Sequence, residues 1–270
     1  VLLAAVAGLL AGGAWAAGRR RGQERQRPAF RSSPHYAEGL HCLATGQLEP
    51  AIHELDKVLR DHPDAVEVLQ VVSHLYREVG KVERAIEIHR GLLGRKDLTR
   101  AERAHALASL GTDYRKAGFL DRAGLAYAEA LEVDPRNLHA LAGQQKLNEE
   151  QRQWREAYEI QTRIARMRKS DDGLVLGFLQ VEMGREALRA GRLAAAEEAF
   201  RTALSLDRRV FPAHLALAGL WLASEPRRAA QVLESAIADA PERAYLAFAD
   251  LQEAYAACAE PSRFAALCER

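Results

Sequence analysis

A 34-residue period constrains this chain more than any other feature. Gly46 and Gly80 stand 34 residues apart, as do Ala51 and Ala85, and Ala123, Ala157 and Ala196 continue the series at intervals of 38, 34 and 39. A unit of that length holds two helices and a turn. Its one apolar face cannot be buried alone, so it must stack on copies of itself. The chain is therefore expected to be all-α, built by repetition, and to serve as a binding scaffold.

Each repeat can be numbered so that the glycine between its two helices is position 15. Repeat 1 then starts at residue 32 and carries Gly39 at 8, Gly46 at 15, Ala51 at 20, Leu55 at 24 and Pro63 at 32. Repeat 2 starts at Val66, with Tyr76 at 11, Gly80 at 15 and Ala85 at 20. Repeat 3 starts at Ala104 and carries Gly111, Tyr114, Gly118, Leu120, Ala123, Tyr127, Ala130 and Pro135 at 8, 11, 15, 17, 20, 24, 27 and 32. Small residues at 8 and 20 allow close helix approach, and larger ones at 11 and 24 fill the space between. Glycine at 15 suits a turn that needs φ > 0, and proline at 32 ends the second helix.

That pattern resembles the tetratricopeptide repeat. The resemblance implies a superhelical solenoid of about six to seven helix–turn–helix repeats. Later repeats are looser. Repeat 4 has Trp154 and Ala157 but Arg152 where glycine is expected, and repeat 5 recovers Gly184, Gly191, Ala196 and Phe200. Repeat 6 turns at Ala223-Ser224-Glu225-Pro226, one residue short, and repeat 7 turns at Glu260-Pro261 and is incomplete at Arg270. Insertions precede repeat 3, at Lys96-Asp97-Leu98-Thr99, and repeat 5, around Ser170 to Gly173. Both are expected to lengthen helix termini or linkers, and Thr99 with Glu102 reads as a capping box.

The other organising feature is the N-terminus. Residues 1–18 carry no charge and run into Arg19-Arg20-Arg21. Eighteen residues make about 27 Å of helix, close to the ~30 Å of a bilayer's hydrocarbon core. A secretory signal places positive charge before its apolar core, whereas here it follows. Residues 1–18 are expected to be a transmembrane anchor, with Trp15 near the headgroups and Arg19, Arg20 and Arg21 on the cytoplasmic side. Residues 19–33 read as a basic juxtamembrane linker and 34–270 as the solenoid, which places that region in the cytoplasm. The formal net charge is +1, yet residues 19–31 alone hold six arginines and one glutamate. The repeat region is thus mildly acidic and does not suit nucleic acid.

Partners of such stacks occupy the concave groove lined by the first helices, at positions 2, 5, 9 and 12. Those positions hold Tyr36, Leu40 and Leu43 in repeat 1, Glu67, Gln70, His74 and Arg77 in repeat 2, and His105, Ala108, Thr112 and Arg115 in repeat 3. Repeat 4 supplies His139, Ala142, Lys146 and Glu149, and repeat 5 Phe178, Val181, Arg185 and Leu188. The middle of this groove is polar and its ends apolar, which suits a mixed partner segment and equally a solvated helix face. The carboxylate clamp of chaperone-binding repeats requires lysine and asparagine at 5 and 9 of its first repeat. Tyr36 and Leu40 stand there instead.

No chemistry-bearing constellation competes with that reading. The nine histidines lack the i, i+4 pairing with a carboxylate that a helical zinc site uses, and they read as surface or groove residues. Cys42, Cys258 and Cys268 form no CxxC pair and read as reduced packing residues within helices. No nucleophile context and no phosphate loop is present, so no catalytic residue and no metal or other cofactor is expected in this chain.

Several stretches go beyond the generic repeat. Trp15 to Arg20, Tyr36-Ala37-Glu38-Gly39-Leu40, Gly80 through His89, Leu98-Thr99 through Tyr114, and Ala117 to Ala123 resemble the lipopolysaccharide assembly protein B (LapB) family. The resemblance is firm over residues 12–130. It implies an inner-membrane, cytoplasm-facing adaptor that regulates lipopolysaccharide synthesis by bringing the committed-step deacetylase of lipid A synthesis to the FtsH membrane protease. Members of that family end in a rubredoxin-like metal domain with two CxxC pairs, which these 270 residues do not contain. The resemblance therefore implies a reading frame that continues past Arg270. The competing expectation is a membrane-anchored repeat scaffold for envelope assembly or secretion.

Overall fold

The computed structural model describes residues 29–268, in which there are fourteen α-helices, two short 3-10 helices and no strand. Trp15, Arg19, Arg20, Arg21 and the expected anchor lie outside the described residues. Among those described, no helix is long and apolar enough to cross a membrane.

After a 3-10 turn at Ala29–Ser32, the helices follow in hairpins: α1 (Pro34–Ala44) with α2 (Leu48–Asp61), α3 (Val66–Glu78) with α4 (Val82–Leu93), and α5 (Arg100–Lys116) with α6 (Leu120–Val133). Then come α7 (Leu138–Glu150) and α8 (Trp154–Arg168), α9 (Gly173–Arg189) and α10 (Leu193–Leu206), and α11 (Phe211–Trp221) and α12 (Pro226–Asp239). A 3-10 segment, Pro241–Leu246, precedes α13 (Phe248–Ala257) and α14 (Ser262–Cys268). The described residues divide into two compact units, one up to Gly143 and one from Gln144, with the division inside α7. In the first, each hairpin's second helix packs on the next hairpin's first, α2 on α3 and α4 on α5. In the second the same order holds, α8 on α9, α10 on α11 and α12 on α13. Each unit is thus a tetratricopeptide-type stack of helical hairpins.

The small positions work as expected. Ala51, Ala85, Ala123, Ala157, Ala196 and Ala229, all at position 20, are fully buried. At position 8 of repeat 3, a Cβ on Gly111 would lie 2.7 Å from the Tyr127 ring, too close for any substituent. Gly143 closes on the other part of that ring, where a Cβ would lie 2.3 Å from Tyr127 Cε1.

The turns follow one backbone rule. Gly46, Gly80, Gly118 and Gly191 have φ between 72° and 82°. At Gly118 the Phe119 amide donates to Tyr114 O and the Gly118 amide to Arg115 O, which makes a Schellman motif. Arg152 (φ 58°) and Ala259 (φ 59°) occupy the same left-handed position without glycine's freedom, and make the same paired bonds. The shorter turn of repeat 6 has no residue with positive φ.

Both insertions lengthen first helices. The 17-residue helices α5 and α9 begin at Arg100 and Gly173, one helical turn ahead of repeat positions Ala104 and Gly177. Thr99 caps α5 as expected: its Oγ1 accepts from the Glu102 amide at 3.2 Å, and the Thr99 amide donates to Glu102 Oε2 at 2.8 Å.

Candidate functional site

In the first unit, the first helices of the hairpins bring His74 and Arg77 (α3), His105, Thr112 and Arg115 (α5) and His139 (α7) into one polar cluster. Its centre is Asp113, fully buried on α5. Arg77 Nη1 donates to Asp113 Oδ1 at 2.6 Å, and the other carboxylate oxygen stands 2.6 Å from His89 Nδ1 on α4. Both Asp113 oxygens are therefore held by charged or polar donors from two neighbouring helices. Arg77 spends its second terminal nitrogen on His74 Nδ1, also at 2.6 Å. Guanidinium has no acceptor, so His74 Nδ1 must be bare and the His74 ring neutral.

Tautomer logic extends to the second pair. Thr112 Oγ1 donates to Ala108 O (3.1 Å), accepts from the Tyr127 hydroxyl (3.2 Å) and lies 3.2 Å from His139 Nε2. The threonine proton is already committed, so His139 Nε2 is the donor and its Nδ1 carries the lone pair. That Nδ1 is buried and has no partner. The His139 and His105 rings are tilted against each other with centroids 5.5 Å apart. Burial, reinforced by the nearby His89 and Arg77, pushes His105 down to about 4. Burial and then His105 push His139 down to about 3, and burial with Arg77 lowers His74 as well. Desolvation penalises the cation, so the three rings are neutral at pH 7.

Other expected groove residues are more dispersed. Half-buried Tyr36 stacks edge-to-face on Phe30 at 5.4 Å, and burial raises its phenol. Leu40 packs beside it against the first core, and Gln70 is half-buried. Glu67 is exposed and paired with Arg31 at 2.7 Å. Lys146, in the second unit, is exposed and paired with Glu149 at 3.3 Å.

The structure corrects two expectations. Arg77 does not face an open groove: it is 7% exposed and bound to Asp113. Leu43, Ala108 and Val181 are likewise core residues. Nor are all histidines surface or groove residues, because His89 and His214 are buried. Asp113 accounts for His89, and His214 Nε2 is held 3.0 Å from Arg208 O.

Ser73, His89 and Asp113 were not among the expected site residues. Their spacing, with Ser73 Oγ 3.0 Å from His89 Nε2 and His89 Nδ1 2.6 Å from Asp113, has the connectivity of a catalytic triad. It cannot act as one here. Ser73 and Asp113 are fully buried and His89 is 1% exposed, and the Ser73 hydroxyl donates to Gln70 O at 2.9 Å. Among the described residues no group of three His, Cys, Asp or Glu side chains is placed to hold a metal ion.

The tetratricopeptide-repeat family model matches residues 179–209. Lipopolysaccharide assembly protein B of Escherichia coli K12 is 24% identical over 258 residues, 95% of this chain and 66% of its own length. The Haemophilus influenzae protein of the same name is 23% identical over 239 residues, 84% of this chain and 60% of its own length. The chain thus spans just under two thirds of the relatives it matches. Among solved structures, that of the MamA protein superposes with a TM-score of 0.51 at 19% identity, over 65% of this chain and 91% of that one. Fold and similarity together make this chain a LapB-like tetratricopeptide-repeat protein.

Proposed function

We propose that this protein is an adaptor of the LapB type, which regulates lipopolysaccharide synthesis by bringing the committed-step deacetylase of lipid A synthesis to the FtsH membrane protease. The observation that carries the reading is similarity to lipopolysaccharide assembly protein B along 95% of the chain. A stack of helical hairpins supports it, because such a stack displays side chains from successive first helices along one surface and encloses no reaction chamber. The proposed anchor is residues 1–18 at the bacterial inner membrane, with the repeats on the cytoplasmic side and the polar cluster of the first unit as the partner site.

Affinity purification of the membrane-extracted full-length protein, with mass spectrometry of what accompanies it, tests this. Recovery of FtsH and the deacetylase is the expected result, with deacetylase abundance rising when the protein is lost. Recovery of an unrelated envelope complex without either protein would retire the lipid A reading in favour of a general membrane-anchored scaffold.

A further inference from the structure

Positions 11 and 19 of a repeat carry a pairing that repeat 5 breaks. They hold Tyr76 and Arg84 in repeat 2, Tyr114 and Arg122 in repeat 3, and Tyr255 and Arg263 in repeat 7. Trp221 and Arg228 form the same pair in repeat 6, one residue closer because that turn is short. The guanidinium lies 5.9 Å from the Tyr114 ring centroid, 3.8 Å from that of Trp221 and 5.5 Å from that of Tyr255. In these repeats the chain itself fills the space beside the inter-helix turn with a ring and a cation. Repeats 1 and 4 place the buried side chains of Cys42 and Asn148 at position 11. In repeat 5 both positions are alanine, Ala187 and Ala195.

A solvent-open cleft of 630 Å³ stands at that place in the second unit, lined by Met183, Ala187, Ala195 and Ala199 and, from the preceding hairpin, by Trp154. None of the groove positions Phe178, Val181, Arg185 and Leu188 lines it. Three arginines (Arg152, Arg155, Arg192) and three glutamates (Glu156, Glu186, Glu198) also border it. All six are exposed, and none is in an ion pair among the described residues. Their signs cancel, so an ionic occupant of either sign gains no net field. An aromatic ring complements both signs, because its face is negative and its edge positive. An aliphatic side chain would bury the same alanines and leave the six charges without a match.

We infer that this cleft receives an aromatic side chain, tyrosine or tryptophan, from a segment of a protein partner, in the place that Tyr114 or Trp221 fills from within the chain. Rings seated in such pockets are the side chains that carry most of the energy of a protein interface. The inference rests on the adaptor reading only for the identity of the protein that brings the ring.

The test uses the full-length protein with its alanine and methionine methyl groups ¹³C-labelled. The probe is N-acetyltyrosinamide, with N-acetylleucinamide as the aliphatic control. The expected result is saturable shifts of the Met183 and Ala199 methyls, with a dissociation constant on the order of 1 mM for the tyrosine probe and a response to the leucine probe at least about 5-fold weaker. Ala187→Tyr/Ala195→Arg rebuilds the pair of repeat 3 inside the cleft, and is expected to weaken the tyrosine response at least about 10-fold. Should that variant fail to fold, Ala199→Trp fills the same space from the wall. Equal responses to the two probes, or an undiminished response in the filled variant, would overturn the inference. Sedimentation separates the occupants: a dimer of the unaltered protein that the filled variant dissolves would make a second copy the occupant and overturn the assignment to a partner. With purified lipid A deacetylase, the filled variant is expected to weaken capture at least about 5-fold. Undiminished capture would overturn this inference alone. No capture by the unaltered protein would overturn the adaptor reading, and the probe titration would still decide this one.

Discussion

Ser73 Oγ lies 3.0 Å from His89 Nε2, and these two residues stand where the next repeat has Gly111 against the Tyr127 ring. Positions 8 and 24 of a repeat face each other across the hairpin. In repeats 1, 3 and 5 they hold Gly39 and Leu55, Gly111 and Tyr127, and Gly184 and Phe200, contacts close enough to forbid a Cβ on the glycine. Repeat 2 keeps the small-against-large logic but makes it polar, and Asp113 from the next repeat completes the bond on the far side of the ring. One substitution in the core pattern therefore requires two others. It ties repeat 2 to repeat 3 by directional bonds between buried side chains.

Asp113 is the member whose loss should cost most. Asp113→Asn removes the buried negative charge that matches Arg77, itself 7% exposed. Breaking a buried pair from one side costs about 3–5 kcal/mol, whereas replacing both partners by apolar groups of similar size is often neutral. Urea unfolding should show Asp113→Asn as severely destabilised, and the triple variant Arg77→Met/His89→Leu/Asp113→Leu, which removes every charged or imidazole partner of the cluster's centre, as restored by more than half. Equal stability of Asp113→Asn and the unaltered protein would show that the pair is not buried as described.

The repeat frame was legible in the sequence because its causes are local. Glycine before a second helix requires left-handed backbone, Ala51 and its equivalents need close approach, and Thr99 with Glu102 is a complete cap within four residues. The cluster around Asp113 was only half legible. His74, Arg77, His105, Thr112 and His139 follow from groove positions, but Arg77 was expected to face an open groove because helix periodicity gives a side chain's direction and not its partner. Asp113 is 36 residues away in sequence from Arg77. The overlooked signal was the exception within the period: His89 at a position otherwise held by Leu55, Tyr127 and Phe200, opposite Ser73 in place of glycine. A polar residue at a core position of one repeat implies a polar partner nearby, and comparing repeats column by column would have exposed it.

Acid should loosen the first unit earlier than its carboxylates alone would. His105 and His139 titrate near 4 and 3 in the folded protein and near 6.5 when unfolded. For a base with a depressed folded pKa, the unfolded chain takes up protons first. The stabilising effect is therefore complete above about pH 6.5 and is lost as pH falls toward the folded values, on the order of 2 kcal/mol per ring at pH 5. The facing groups are Arg77, His74 and His89 from α3 and α4, with Asp113 on α5 itself. Urea midpoints measured from pH 7.5 to 5 should fall for the unaltered protein and fall less for His139→Asn. Parallel slopes for the two would show that His139 is solvated.

Two glycines inside helices should respond in opposite directions to alanine. At Gly184 a Cβ would lie 2.4 Å from Phe200 Cε1, so Gly184→Ala overpacks the hairpin of α9 and α10. Overpacking costs about 1–3 kcal/mol, of which the better helix propensity of alanine returns about 0.5–1. At Gly219 nothing lies within 4 Å of the new Cβ, so Gly219→Ala should gain roughly that propensity alone. Melting temperatures are expected to drop for the first variant and rise for the second. Adding Phe200→Leu should recover part of the loss in the first by shortening the opposing side chain.

Arg152 offers the converse, a left-handed position that lacks glycine. Its φ of 58° matches the 72–82° of the four turn glycines, and its amide bonds to Glu149 O at 3.0 Å as theirs do. A side chain in that region costs about 1–2 kcal/mol. Glycine removes the strain but makes the unfolded chain more flexible by roughly 0.5–1 kcal/mol. The Arg152 side chain is exposed and makes no hydrogen bond or ion pair among the described residues, so nothing else is lost with it. Arg152→Gly should therefore stabilise the second unit by about 0.5–1 kcal/mol, read as a higher urea midpoint with an unchanged slope. Arg152→Asn, which tolerates the left-handed region better than arginine, should fall between the two. A loss of stability in both variants would mean that the guanidinium, and not the backbone, is what that turn depends on.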